Sequence, residues 1–167
     1  MNEEILRTIL KRAVTQAKAP GAVACVGRGD QRQFLGATDY RALVPAPEPA
    51  TADTVYDLAS LTKVVATTTA VMLLRDRGVL QLDQPVSAFI PLPGLNNITL
   101  RHLLTHTSGL ASWYAWHTEL SGRLQYVERI AASPPAAPPG TIRTYSDLGF
   151  ILLARVVEQA AQDTFDA

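Results

Sequence analysis

The sequence has one cysteine, no long apolar run and no excess of charge of either sign. Its single cysteine, Cys25, excludes an intramolecular disulfide and leaves the redox compartment open. No apolar run approaches the roughly 20 residues that a membrane-spanning helix needs. The formal net charge is zero with both signs scattered, which argues against a nucleic-acid or acidic-membrane partner. With 167 residues, of which 47% are hydrophobic, the chain is expected to form one globular domain with a real core.

The sequence also lacks the patterns of an export signal and of a metal site. The N-terminal segment MNEEILRTIL carries two acids where a signal peptide has bases, and it has no apolar central region. We therefore expect a cytoplasmic protein, with an exported form left open if the N-terminus is incomplete. His102 and His106 could share a helix face, but neither a third ligand nor a companion glutamate follows at the required spacing. No metal or other cofactor is expected.

Lysine is scarce, with three residues (Lys11, Lys18 and Lys63) against twelve arginines. Lys63 is the one charged residue of the apolar stretch 58–74, and it follows Ser60 by three positions. This spacing is close to one helical turn, so the two side chains share a face. Apolar surroundings disfavour an ammonium, so we expect the pKa of Lys63 to fall towards the range in which it accepts a proton from serine. Arginine could not serve, because it does not deprotonate.

The S-x-x-K spacing has an ordinary explanation as well. Such a tetrad arises by chance in many proteins, and a lysine can extend its ammonium out of an apolar helix. The context favours chemistry, since Ser60 lies where an extended segment passes into a long helix that is predicted to end at Gly78. Amide donors and the positive end of the dipole at a helix N-terminus stabilise an oxyanion. Ser60 and Lys63 are therefore candidate catalytic residues.

The rest of the chain is predicted to form further helices and loops around one short hairpin. Trp113, Tyr114 and Trp116 cluster in a loop, either as plain packing or as an aromatic wall beside a pocket. The predicted elements are a helix over 3–18, strands over 22–26 and 33–37, an extended linker over 42–52, and helices over 100–105 (capped by Thr99), 124–132 and 148–161 (capped by Ser146). We expect one domain over residues 1–167, with the N-terminal helix and hairpin in 1–40 and a helical lobe in 54–167.

A tripeptide, Tyr145-Ser146-Asp147, stands at the start of the last predicted helix. Alone it carries little weight, because a tyrosine before a capped helix is usually a packing residue. It follows the S-x-x-K tetrad, however, and the two motifs in this order and at this separation are far more specific than either motif alone.

From Val55 onward the sequence resembles the serine beta-lactamase and penicillin-binding-protein superfamily, in particular the branch of class C beta-lactamases, D-alanyl-D-alanine peptidases and related esterases. The resemblance rests on the N-terminal helix with its hairpin and on the segments LASLTKVV, GVLQLDQPV, ITLRHLLTHTSGL and PPGTIRTYSDLGFILLARVVEQ. It implies an α+β, beta-lactamase/transpeptidase-like fold, consisting mostly of the helical lobe plus an N-terminal helix and a two-stranded antiparallel hairpin.

The resemblance also implies a role for each candidate residue. Ser60 would be the acylated nucleophile, and its backbone N–H would form half of an oxyanion hole. Lys63 would relay protons, and Tyr145 would help to carry a proton to the leaving group. Asp147 would take the substrate-binding position of the Y-x-N motif. The substrate would be a small-molecule ester, amide or beta-lactam.

The sequence departs from this pattern in two places. Asp147 replaces an asparagine, and an ionised carboxylate accepts hydrogen bonds but does not donate them to a substrate carbonyl. The third motif of the superfamily, K/H-x-G on a strand, does not occur in the 167 residues. We therefore expect the N-terminal part of a longer, truncated domain that lacks the C-terminal strands of the sheet. An unpaired edge of the hairpin would then favour self-association.

These observations allow three functional hypotheses to be compared. The leading hypothesis is a serine hydrolase that acts on an ester or amide through an acyl-enzyme. The alternative is a catalytically inactive remnant or binding module, because the third motif is absent. An α/β-hydrolase is disfavoured, since no G-x-S-x-G elbow occurs in the sequence.

Overall fold

The computed structural model describes residues 2–17 and 19–166. Within these residues the chain forms five α-helices and one three-stranded antiparallel sheet in the order β1-β2-β3. Its contacts divide it into two compact units, Met1–Asp57 and Leu58–Ala167. None of the described helices is long and apolar enough to cross a membrane.

The first unit contains helix α1 (Glu3–Ala17) and the sheet strands β1 (Gly21–Arg28), β2 (Gln31–Ala42) and β3 (Glu48–Pro49). The helix packs on β1 and β2, and Val14 is its buried residue. The predicted final residue of this helix, Lys18, lies outside the described residues. A two-residue turn with Gly29 at a φ of 61° joins β1 to β2, so both strands extend further into the turn than the alternating pattern predicts.

The strand β3 corrects two expectations at once, the two-stranded hairpin and the extended linker over 42–52. Tyr40 pairs with Pro49, and Ala42 pairs with Glu48. Proline has no N–H to donate to a neighbouring strand, and an edge strand tolerates this because one of its sides has no neighbour. An ion pair between Arg41 and Glu48 adds a side-chain contact across the same two strands.

The second unit begins with the helix that contains Lys63. The sequence predicts one α-helix, but residues Lys63–Thr68 are π-helical and helix α2 covers only Thr69–Asp76. The hydroxyl of Thr69 donates to the carbonyl of Val64, five residues earlier, at 3.1 Å. This segment is rich in β-branched residues, which have a slightly lower propensity for the α-helix. The helix ends as predicted, with Gly78 in the left-handed region at a φ of 72°.

Three further helices complete this unit: α3 (Leu100–Leu104), α4 (Arg123–Ala132) and α5 (Asp147–Ala161). The predicted caps are confirmed, since the Thr99 side chain accepts from the His102 N–H and the Ser146 side chain accepts from the Gly149 N–H. Helix α5 contacts α2, α3, α4 and the π-helical segment. Its core-facing residues Leu152, Leu153 and Val156 are completely buried. This central position brings the N-terminus of α5 against the start of the helix that contains Lys63.

Candidate active site

Ser60 lies in the turn that precedes the π-helical segment. The Lys63 N–H donates to the Ser60 carbonyl at 3.1 Å, so the turn leads directly into the helix. The residue before it, Ala59, has a φ of 46°, an uncommon left-handed conformation for a residue with a β-carbon. Ser60 is exposed. A hydroxyl is therefore presented at the N-terminal end of a helix, in a locally strained turn.

Lys63 reaches two of the other candidate residues with one ammonium group. Its Nζ lies 3.3 Å from Ser60 Oγ and 2.7 Å from Asp147 Oδ1. The Lys63 side chain is only 15% exposed. Its ammonium also lies 5.0 Å from the ring centroid of Tyr145 and 5.7 Å from that of Phe150. The structure thus brings together all four candidates: Ser60, Lys63, Tyr145 and Asp147.

The segment before helix α5 is held by a loop from elsewhere in the chain. The Ser112 hydroxyl donates to the Tyr145 carbonyl at 2.6 Å, and the Asp147 N–H donates to the Ser112 carbonyl at 2.8 Å. The buried Ser146 hydroxyl donates to the Ala111 carbonyl at 2.7 Å. These bonds fix the backbone on both sides of Ser146, so Tyr145 and Asp147 are presented from a rigid support.

His106 is the neighbour that sequence reasoning missed. Its Nδ1 accepts the Ser146 N–H at 3.0 Å, and its ring lies 4.6 Å from Tyr145 and 5.1 Å from Phe150. Burial lowers the pKa of His106, and the positive charges of Lys63 and Arg143 lower it further. A neutral imidazole suits the accepting role of Nδ1. The sequence suggested a pairing of His106 with His102, and the resemblance placed His106 in a structural loop, but neither indicated a contact with Tyr145. His102 Nδ1 instead accepts the Thr99 N–H at the start of α3.

The electrostatics of Lys63 contradict the expected fall of its pKa. Burial is the largest single influence and lowers the pKa, but the hydrogen bonds and charges of Asp147 and Tyr145 outweigh it, so the net pKa is raised. The pKa of Tyr145 is lowered, first by its hydrogen bond to Ser60 and then by the hydrogen bond and charge of Lys63. The expectation was wrong because the stretch around Lys63 gives no sign of a carboxylate that reaches it from another helix.

The aromatic loop packs through Trp116 and leaves Trp113 and Tyr114 exposed, although Tyr114 also stacks on Trp116. Trp116 stacks on Tyr114 at 4.6 Å between ring centroids, and the guanidinium of Arg129 lies 5.8 Å from its ring. Trp113 and Tyr114 are exposed. The packing interpretation therefore accounts for Trp116, and the loop still offers two exposed aromatic side chains after Ser112.

Comparison with known proteins decides the family. The sequence model of the family described as Beta-lactamase matches residues 6–167. The chain belongs to the beta-lactamase family. It is 33% identical to Esterase EstB of Burkholderia gladioli over 93% of this chain and 44% of that protein. It is 30% identical to Penicillin-binding protein 4 of Amycolatopsis lactamdurans over 91% of this chain and 41% of that protein.

The structural comparison agrees with this family. A class C beta-lactamase in complex with cefoxitin superposes with a TM-score of 0.83 at 25% identity, over 97% of this chain and 45% of that chain. The expected α+β, beta-lactamase/transpeptidase-like fold is thereby confirmed. The family places the chain in the superfamily that includes serine esterases and penicillin-binding proteins. The chain spans less than half the length of each of these three proteins.

Proposed function

We propose that this chain carries the nucleophile and the proton relay of a serine hydrolase that cleaves a small-molecule ester or amide through an acyl-enzyme. The contact between Ser60 Oγ and Lys63 Nζ, at 3.3 Å, carries the proposal. It is supported by Tyr145, whose ring centroid lies 5.0 Å from Lys63 Nζ and whose pKa is lowered by Ser60 and Lys63. Nucleophile, lysine and tyrosine within reach of one another meet the geometric requirement for an activated serine.

Acylation begins with attack of Ser60 Oγ on the carbonyl carbon of the substrate. The hydroxyl proton leaves through the relay of Lys63 and Tyr145, and the developing oxyanion takes a hydrogen bond from the Ser60 N–H at the helix start. The leaving group departs with a proton delivered from Tyr145. Water then attacks the ester at Ser60, and the relay returns the proton to the serine. None of these steps needs a metal or an organic cofactor.

The similar proteins agree with this range of substrates. One relative is named an esterase, another a penicillin-binding protein, and a structural neighbour binds cefoxitin. For this chain we propose esters first, because Asp147 offers a carboxylate where the Y-x-N motif has an amide donor. Exposed Trp113 and Tyr114, which follow Ser112 in the chain, would favour an apolar acyl group.

The proposal is tested with p-nitrophenyl butyrate and two serine variants. Ser60→Ala is expected to reduce hydrolysis to the rate of the uncatalysed control. Ser121→Ala, at an exposed position outside the cluster, is expected to keep the wild-type rate. Equal rates for wild type and Ser60→Ala would contradict the proposal. That outcome would favour the alternative of an inactive remnant or binding module.

A further inference from the structure

A cavity of about 490 Å³ is lined by helices α4 and α5 and by the segment that follows α5. It shares no residue with the candidate active site described above. Its apolar wall consists of Tyr126, Val127, Ile151, Ala154 and Phe165. A cavity of this size can hold a small molecule, and small-molecule sites typically combine an apolar wall with a few polar groups.

The polar side of the cavity is built around Glu158, whose side chain is only 8% exposed. Arg155 Nη1 donates to Glu158 Oε2 at 3.2 Å, and Arg123 forms an ion pair with Oε1. The Phe165 N–H also donates to Oε1, at 3.4 Å. These partners offset the cost of burying a carboxylate. Glu158 thereby holds two guanidinium groups beside the apolar wall.

The charges around the cavity leave room for an additional anion. Glu158 neutralises one of the two guanidinium groups. The other acid of the lining is Asp166, whose Oδ1 lies 3.6 Å from Arg123 Nη2, which is too far for a hydrogen bond. Its side chain is 78% exposed, and exposed ion pairs of this kind contribute little. Arg123 therefore keeps N–H donors for an incoming carboxylate, and Asp166 marks a place where a carboxylate fits.

We propose that this cavity is a second binding site, and that its ligand is a small carboxylic acid with an aromatic ring. The ring packs against Tyr126 and Phe165, since aromatic pairs add to the gain from burying apolar area. The carboxylate takes the place of Asp166 beside Arg123, in a charge-assisted hydrogen bond. The proposal is independent of the proposed hydrolase function, because no step of that reaction involves the residues of the cavity.

The requirement for a carboxylate is tested with a pair of probes. Isothermal titration calorimetry at neutral pH measures the affinity of the chain for 4-phenylbutyrate and for its uncharged counterpart, 4-phenylbutanamide. We expect the carboxylate to bind about 10-fold more tightly, because hydrogen bonds to ionised groups are stronger than those between neutral groups. Equal affinities for the two probes, or no binding of 4-phenylbutyrate, would overturn the proposal.

Two substitutions in the lining should change the affinity for 4-phenylbutyrate in opposite directions. Ala154→Phe fills the cavity from α5 and should abolish binding. Ala161→Phe, at an exposed position of the same helix, is the matched control and should bind as wild type does. Asp166→Asn removes the competing carboxylate from an exposed position and should strengthen binding several-fold. With folding verified by circular dichroism, unchanged affinity in Ala154→Phe or in Asp166→Asn refutes the assignment.

Amide NMR signals of the ¹⁵N-labelled chain locate the bound probe. We expect 4-phenylbutyrate to shift signals of residues 123–127 and 151–158. Shifts confined to residues 60–63 and 145–147 would place the acid in the candidate active site instead and would overturn the proposal. A second copy of the chain covering the cavity would appear as a dimer in light scattering, with affinity that falls as protein concentration rises, and would also overturn it. None of these measurements needs turnover, so their failure leaves the hydrolase proposal unaffected.

Discussion

At the scale of single residues, Asp147 is the side chain that distinguishes this site from the motif it resembles. An ionised carboxylate cannot donate to the acylamide carbonyl of a beta-lactam, and it repels the carboxylate that such substrates carry. We expect kcat/KM for short p-nitrophenyl esters to exceed that for a chromogenic cephalosporin. Asp147→Asn should move the ratio towards the cephalosporin. Because both substrates use the same nucleophile, the ratio isolates recognition, and a higher value for the cephalosporin in wild type would refute the argument.

His106 gives a second prediction at this scale, about the pH dependence of stability. Its pKa lies below the usual 6.5 in the folded protein, so the unfolded chain takes up the proton at higher pH. The stabilisation is therefore complete above pH 6.5 and is lost as the pH falls through the folded pKa. Urea unfolding should show a larger loss of stability from pH 7 to pH 5 in wild type than in His106→Asn. Asparagine tolerates the φ of 60° at this position.

At the scale of elements, the cap of helix α5 connects fold stability to the site. The Ser146 hydroxyl accepts from Gly149 and donates to the carbonyl of Ala111, and the residue is buried. Ser146→Ala should lower the free energy of unfolding by about 1–2 kcal/mol, because the cap is lost and a carbonyl loses its donor. Urea denaturation at neutral pH measures this. Ser121→Ala should change stability by less than about 0.5 kcal/mol, and a Ser146→Ala value equally small would refute the role of the cap.

Local signals explain which elements the sequence predicted well. Thr99, Ser146 and Gly78 mark helix ends by hydrogen bonds and backbone angles that involve only near neighbours, and the structure has the helix ends there. The π-helical segment and strand β3 were not predicted. The apolar pattern of the first does not separate a π-helical turn from an α-helical one, and the second depends on a pairing partner rather than on its own two residues.

The site shows the same division between local and distant information. Ser60 and Lys63 could be paired from their spacing, and Tyr145 with Asp147 from the resemblance. The contact between Lys63 and Asp147 could not be predicted, because it depends on how α5 packs against another helix. This contact reverses the direction of the lysine pKa. The resemblance placed His106 in a structural loop, but its contacts could not be predicted, since they involve a backbone N–H and two rings that lie far from it in the chain.

At the scale of the whole molecule, the chain spans 44% of the Burkholderia gladioli esterase that it resembles. The resemblance assigns the second amide of the oxyanion hole to a strand with a K/H-x-G motif, which the 167 residues do not contain. Loss of one such donor typically costs about 10²–10³ in kcat. We therefore expect residues 1–167 alone to turn over p-nitrophenyl butyrate at least about 100-fold more slowly than that esterase. Comparable turnover by a monomeric preparation would show that the additional strand is dispensable.

Two expectations at this scale stay predictions. One is that residues 1–167 form a single domain, and the other is self-association through the sheet. Among the described residues, strand β1 pairs only with β2, which leaves its other edge available for a second chain. Light scattering coupled to size-exclusion chromatography, run alongside the turnover measurement, reports the oligomeric state of the preparation.

The central claim is that Ser60 is a nucleophile activated by Lys63 and Tyr145, and covalent labelling tests it most directly. The chain is incubated with excess fluorophosphonate, and the adduct is located by intact-mass measurement and peptide mapping. We predict one adduct at Ser60, its loss in Ser60→Ala, and its retention in Ser121→Ala. Lys63→Met, which keeps the bulk but removes the charge, should slow labelling strongly. An adduct that persists in Ser60→Ala, or that maps to another residue in wild type, would contradict the account.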